Sequence, residues 1–367
     1  MARASGARSR GNARTTRPAA ARSRSPLPRA RVVQPRVDGR RWGAGFVIGV
    51  IVAAGGILLT VAPTIGLERT LGISAALPAR TALTAAAAAA GVVCAICAIA
   101  NRGRFLLPVA AALLVVAIFN APIVVLRGFG SSTAADVTGR VAVLEWNTNG
   151  GLVAPAAIAA LAARERADIV VLPDAGIGTK AADYRTAFAS SGLDMRLYSA
   201  PGRDAQLAVF VTAGLAAQYP AAQTGPDAAK TLVLEPSSPA LPTIVALHAP
   251  HPTLGGIALW RSELNWVAQR CAAASVLVSG DFNASIDDFG APSLGGCRDA
   301  AAQKGAASTG TWPTAVPSLL GMPIDHTLLT ARAGSVASFA VLGSEDSSGA
   351  RHRPTLTVLS TTWGSAP

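Results

Sequence analysis

Hydrophobic and polar positions divide the chain into unequal parts. Residues 1–42 carry almost no large apolar side chain before Val32. Three uncharged apolar stretches follow: 43–61 (GAGFVIGVIVAAGGILLTV), 81–100 (TALTAAAAAAGVVCAICAIA) and 105–126 (FLLPVAAALLVVAIFNAPIVVL). Each is close to the roughly 20 residues that carry a helix across a bilayer. Alanine is weakly apolar, so the second stretch also reads as a buried helix of a soluble protein; in that case the parity of the topology changes. From Arg140 onward short apolar runs alternate with helical patterns. Strands are expected over 140–145, 169–172, 195–198, 207–211, 231–235, 243–247, 276–278 and 354–359, with another opening at Ile324. Helices are expected over 155–165, which has proline at its start, over 183–190, and over 257–270, where Trp260, Leu264 and Val267 recur at helical spacing. The expected organisation is a tail (1–42), a membrane region (43–127), a small-residue linker (128–138) and a domain (139–367).

Charge changes how the tail is read. The net charge is +12, but residues 1–42 hold twelve arginines, with Asp38 their only acid. From Gly128 onward 15 Lys and Arg face 18 Asp and Glu. The basic balance therefore belongs to the tail and is no evidence that the domain binds nucleic acid. Such a tail buries too little apolar surface to offset ordering entropy and is expected to be disordered. A solvated topogenic role fits it, with RNA or lipid binding as the alternative. A signal peptide fits poorly, because its basic region is normally short. The positive-inside rule places the tail and the Asn101–Arg104 turn in the cytoplasm. With three spans the protein is then a multi-pass plasma-membrane protein with an extracellular C-terminal domain. Spans without a charged residue offer no polar pathway, which argues against a transporter or channel. Cys94 and Cys97 lie in the second stretch. Cys271 and Cys297 are either two separate buried thiols or, outside the cell, a disulfide worth roughly 3–4 kcal/mol in the chain-entropy model.

The candidate chemistry centres on residues 275–285, SVLVSGDFNAS. An apolar run ends in Gly280 and presents Asp281 and Asn283, two apart and so on one face of an extended backbone. A carboxylate and an amide there suit a hard divalent cation and a phosphate oxygen; a polar turn after a strand is the plainer reading. Other polar residues also fall at ends of apolar runs: Asn147, Asp174, His248, Asp325, and His352 before the last strand. Each alone reads as a turn former, a helix cap, a loop histidine or a strand-end charge. Their recurrence at strand ends points to one site assembled on a sheet edge.

The order WNTNG, VVLPD, LHAP, SGDFNAS, TWP, PIDH and ARHRP resembles the endonuclease/exonuclease/phosphatase superfamily, of the membrane-anchored bacterial type, over about 139–359. The resemblance implies an α+β fold, a four-layer α/β/β/α sandwich, here preceded by three transmembrane helices. It also implies in-line hydrolysis of a phosphoester with Mg²⁺ or Mn²⁺ as cofactor. By resemblance, Asn147, Asp174 and Asp325 serve the metal, and Asn147, His248 and Asn283 bind the substrate phosphate. His248, Asp281, Asn283 and the Asp325–His352 dyad are catalytic. Two positions depart from the family pattern. Asp174 stands where relatives carry glutamate, and Arg351 where they carry an aspartate before the final histidine. Arg351 either repels the metal or contacts phosphate itself, with Glu345 or Asp346 as substitute carboxylates. The expected function is a membrane-tethered, metal-dependent hydrolase acting on a phosphodiester or phosphomonoester outside the plasma membrane. A lipid and extracellular nucleic acid are the candidate substrates, and nothing in the sequence points to a protein partner. The alternative is a catalytically degenerate member that binds a ligand or acts as a scaffold.

Overall fold

The structure is a computed structural model and describes residues 39–100, 103–132, 140–272, 275–290, 293–361 and 363. The tail up to residue 38, most of the linker and half of the Asn101–Arg104 turn lie outside the described residues. The three apolar stretches form helices α1 (Gly39–Val61), α3 (Arg80–Ala100) and α4 (Leu106–Arg127), separated after α1 by a short helix α2 (Ile73–Ala76). Each of the three is long and apolar enough to cross a membrane.

The remaining elements are β1 (Arg140–Glu145), α5 (Pro155–Arg164), β2 (Ile169–Leu172), α6 (Ile177–Ser190), β3 (Met195–Ser199), β4 (Ala208–Thr212), α7 (Ala213–Ala216), β5 (Ala222–Thr224), β6 (Thr231–Leu234), β7 (Thr243–His248), α8 (Ile257–Arg270), β8 (Val276–Asp281), β9 (Ser293–Leu294), β10 (Cys297–Asp299), α9 (Ala300–Gln303), β11 (Asp325–Leu329), β12 (Ser335–Val341) and β13 (Thr355–Ser360). They build two mixed sheets, ordered β12-β13-β1-β2-β4-β3 and β5-β6-β7-β8-β11-β10-β9. The sheets meet face to face through β1, β2 and β13 on one side and β8 and β11 on the other. Helices α5 and α6 cover the first sheet, with Phe188 stacked on Phe210 of β4. Helix α8 covers the second through Trp260, Leu264 and Val267. The fold is thus the expected α/β/β/α sandwich. Helix α6 begins six residues before the sequence reading placed it, because its first turns contribute only Ile177 to the core. Strand β12 escaped that reading because a bulge between Val336 and Ser338 breaks its alternation.

Strand direction explains why site residues gather. β1 and β2 run parallel and β13 antiparallel, so β13 begins where β1 ends, with Glu145 opposite Thr355. In the second sheet β7 and β8 run parallel and β11 antiparallel. One register row therefore holds His248, Asp281 and Asp325 side by side. Gly280 makes this row possible: a Cβ there would stand 2.0 Å from the Leu247 carbonyl oxygen.

The apolar helices are tied to the sandwich by buried charge. Asp287, four residues past Asn283, accepts from Arg80 Nε at 2.9 Å and from both terminal nitrogens of Arg127. Arg80 opens α3 and Arg127 closes α4. The same Arg80 donates to Asn120 of α4 and to the Leu59 carbonyl of α1 at 3.0 Å. Before α2, Arg69 reaches the Asp288 carbonyl at 2.8 Å and Asn265 of α8 at 2.6 Å. The segment joining α1 to α3 and the sandwich thus sit at the same end of the apolar helices. Cys271 and Cys297 form a disulfide that joins the end of α8 to β10.

Candidate active site

Asp281 is the hub. Its Oδ2 accepts from Asn147 Nδ2 at 2.8 Å, and its Oδ1 accepts from the Asn283 backbone N–H at 2.9 Å. Asn283 leaves the strand in a left-handed conformation, φ 46°, and turns its side chain back to donate to the Ala249 carbonyl at 2.8 Å. Phe282 faces the α8 core, and its carbonyl accepts from Trp260 Nε1 at 3.0 Å. Two histidines flank Asp281 Oδ2: His248 Nε2 at 3.7 Å and His352 Nε2 at 3.9 Å. His352 is held from behind, its Nδ1 2.9 Å from Asp325 Oδ2 and its carbonyl accepting from Trp146 Nε1 at 3.0 Å. The expected residues Asn147, His248, Asp281, Asn283, Asp325 and His352 therefore converge, all of them buried.

The electrostatics divide these groups. Burial, then the neighbouring Asp325 charge, pushes the Asp281 carboxyl up to about 7. Burial, with nearby Lys230 and His352, lowers His248 to about 3, so its imidazole is neutral. Burial works against a charged His352, but the Asp325 and Asp281 carboxylates outweigh it and raise its pKa to about 9. The site thus pairs a neutral histidine with a cationic one across one carboxylate.

Asp174 and Arg351 stand apart. Asp174 is half-buried at φ 51°, its backbone tied to the loop after β1 through Thr148 and Gly151. It is close enough for its charge to raise His352. Arg351 is exposed, and its guanidinium has no hydrogen-bond or ion-pair partner among the described residues. The alternative carboxylates Glu345 and Asp346 are engaged elsewhere. Glu345 pairs with Arg164 at 2.8 Å, and Asp346 pairs with Arg353 at 2.7 Å.

Glu145 was overlooked in the sequence. It is fully buried beneath the site, with Oε2 accepting from Thr355 Oγ1 at 3.2 Å and Oε1 without a hydrogen-bond partner among the described residues. Burial and the Asp325 and Asp281 charges raise its pKa well above the carboxylate range. A signal was available: an acid two residues before Asn147 on an apolar strand faces the same way. A second overlooked pair, His326 and Asp299, lies beneath the Asn283 turn, with Nδ1 to Asp299 at 2.8 Å and Nε2 to the Ala284 carbonyl at 2.9 Å.

A divalent cation fits this donor set. Ligand atoms of Asp281, Asp325 and His352 lie within 4.8 Å of one another. Three crowded carboxyl groups, one with an orphaned oxygen, are hard oxygen donors whose mutual repulsion a cation would relieve. Asp174 stands outside that tight group.

A family model described as Endonuclease/Exonuclease/phosphatase family matches residues 144–365. The chain belongs to this family. Members cleave phosphoester bonds and use divalent metals, so the sandwich is a phosphoester-hydrolase fold. A comparison with curated proteins returns no match. Among solved structures, humanized D. rerio TDP2 is 15% identical, with a TM-score of 0.48, and the match covers 61% of this chain and 100% of that one. The 3'-5' exonuclease NExo from Neisseria meningitidis is 16% identical, TM-score 0.45, covering 59% and 98%. An endonuclease/exonuclease/phosphatase from Beutenbergia cavernae is 16% identical, TM-score 0.44, covering 61% and 72%.

Proposed function

We propose that this chain is a membrane-tethered, divalent-metal-dependent phosphoesterase whose domain faces the outside of the plasma membrane. The observation that carries the reading is the convergence of Asn147, His248, Asp281, Asn283, Asp325 and His352 on one edge of the sandwich. Asp281, oriented by Asn147 and the Asn283 backbone N–H, takes the proton of the attacking water at Oδ1 or Oδ2. Asn147 fixes the orientation of Oδ2. Asn283 has one amide N–H committed to Ala249 and the other left for a phosphoryl oxygen. His352, charged and oriented by Asp325, donates from Nε2 to the phosphoryl oxygens as negative charge builds there. His248, neutral, donates a hydrogen bond without adding charge. Asp281, Asp325 and Glu145, with Asn147, would hold Mg²⁺ or Mn²⁺, which would supply positive charge against the negative charge building on the phosphoryl oxygens. The outward orientation rests on the twelve arginines ahead of the first helix.

The test is hydrolysis of bis-p-nitrophenyl phosphate by the full chain in detergent micelles. Turnover is expected with Mn²⁺, and it should disappear with EDTA and in Asp281→Asn. The exposed Arg351 in place of an acid favours the other reading, a degenerate, ligand-binding member. No turnover over a panel of phosphodiesters and phosphomonoesters by a folded sample, with no Mn²⁺ binding by calorimetry, would establish that reading instead.

A further inference from the structure

The mouth of the site is not built by the sandwich alone. A cavity of about 330 Å³ lies in front of Asn283 and His352. Ser74, Ala75 and Pro78 line one side, from the segment that joins α1 to α3; Trp312 and Met322 line another. Both walls lead to the apolar helices. Pro78 precedes α3 by two residues. Trp312 and Met322 exchange backbone hydrogen bonds at 3.1 and 2.6 Å, closing a loop whose turn at Ser318–Leu320 packs against α3.

The apolar side chains left in the open mark the same edge. Among described residues after Arg140, five large apolar side chains are exposed: Leu152, Leu254, Leu259, Leu319 and Leu320. Leu254 adjoins the lining residue Thr253 and is 85% exposed, and Leu319 and Leu320 belong to the turn beside α3. Leu71, 46% exposed, stands on the joining segment. Asp287 fixes the height of the cleft, because its two arginines sit where α3 begins and α4 ends. Those helix ends mark one boundary of the apolar slab. With α1, α3 and α4 across a bilayer, as proposed above, the cleft opens at its polar–apolar boundary.

We propose that the cleft takes a bilayer-borne phosphoester, a lipid phosphate whose headgroup reaches Asn283 and His352 while its apolar part lies along residues 74–78 and Met322. This rests on the phosphoesterase reading of the site. Hydrolysis adds water across one P–O bond: the water oxygen bonds to phosphorus, the ester P–O bond breaks, and the leaving oxygen takes up a proton. Nucleic acid fits less well. A strand-tracking groove needs cationic side chains beside its aromatic ones, and no Lys or Arg among the described residues lines the cavity.

The test uses the full chain in phosphatidylcholine vesicles doped with a phosphatidic acid that carries a photoactivatable diazirine in its acyl chain. A soluble dibutyryl analogue with the same photoactivatable group is run beside it, as is bis-p-nitrophenyl phosphate turnover. Illumination is expected to label peptides holding residues 74–78 or 312–322, at least about tenfold more from the vesicle-borne probe. Ala75→Trp, which fills the cleft wall, is expected to reduce that labelling about tenfold. Turnover of the soluble ester with labelling confined to α1, α3 and α4 would overturn the lipid inference and leave the phosphoesterase reading standing. Cleft labelling without turnover of any ester would do the reverse. Preference for the soluble probe, or labelling unchanged by Ala75→Trp, would also overturn it.

Discussion

Two histidine–aspartate pairs lie a few residues apart and differ in one atom's surroundings. His352 pairs with Asp325 at the cleft, and His326 pairs with Asp299 beneath the Asn283 turn. The N–O distances are 2.9 and 2.8 Å, both rings are buried, and both histidines have raised pKa values. Burial, partner and titration therefore do not separate them. The second ring nitrogen does. His326 Nε2 donates to the Ala284 carbonyl, so both its N–H groups are committed inside the protein. Among the described residues His352 Nε2 has only Asp281, 3.9 Å away, and otherwise faces the cavity. One imidazolium fixes a turn; the other leaves a charged donor facing the cavity.

The contrast breaks most sharply in activity. His352→Ala is expected to lower kcat/KM for bis-p-nitrophenyl phosphate about 10³-fold, the scale seen when one donor to a developing oxyanion is removed. Its thermal unfolding in detergent should move less by comparison, since His352 itself lines the cavity and water entering the space it leaves can reach the buried Asp325 carboxylate. Steady-state kinetics and melting of the same preparation decide this. A large loss of stability with proportionate loss of activity would make His352 a second structural pair.

His326→Ala should invert the pattern. It strands Asp299, which is 1% exposed and also caps α9 through the Ala302 N–H at 2.7 Å. Breaking a buried pair in this way costs about 3–5 kcal/mol. Activity is expected to fall through the position of Asn283, one residue from Ala284. His326→Gln, which keeps one donor, should recover part of both. Chemical denaturation of the two variants beside the parent measures the ordering.

The same pair sharpens under pH. Burial opposes a charged His326, but the Asp299 carboxylate and the Ala284 carbonyl more than offset it and raise its pKa. The folded protein then keeps a proton that the unfolded chain releases near pH 6.5. The contribution is complete below that pH and fades as pH rises through the folded value. The stability gap between parent and His326→Gln should narrow progressively above about pH 6.5. A gap that is flat or widens with pH would mean that His326 is neutral.

Much of the frame was legible because it depends on local pattern. The strand 140–145, the strand 169–172 and the helix 257–270 follow from apolar runs and spacing, and the three apolar helices follow from length. Asn147, His248, Asp281 and Asp325 were legible for a related reason. Each ends or opens an apolar run, and the parallel pairs β1–β2 and β7–β8, with antiparallel β11 opening beside β8, bring those positions to one edge. His326 was not, although it sits beside Asp325. Its meaning depends on Asp299 and Ala284, contacts made only once β10 pairs with β11. Nor was the cleft wall that residues 74–78 supply. Nothing in LGISAALPAR says that residues 74–78 lie against a loop more than 200 positions later; the Asp287 ion pairs put them there.

Arg351 precedes His352, and its own contrast with that residue gives the smallest expected effect. The two are adjacent, yet one is 5% exposed and oriented by an aspartate, and the other is exposed without a partner among the described residues. A guanidinium in water can meet a phosphate only at the rim, where screening limits its worth to about 0.5–1 kcal/mol. Arg351→Ala is therefore expected to raise KM two- to fivefold, by roughly that energy, with kcat unchanged. Arg351→Asp introduces the acid that the family resemblance implies at this position and should tighten Mn²⁺ binding several-fold by calorimetry, because it replaces a positive charge next to His352 with a negative one. A fall in kcat of His352 proportions in Arg351→Ala would move this arginine from the rim into the reaction. The exposed rotamer would then have to fold over the phosphate on binding.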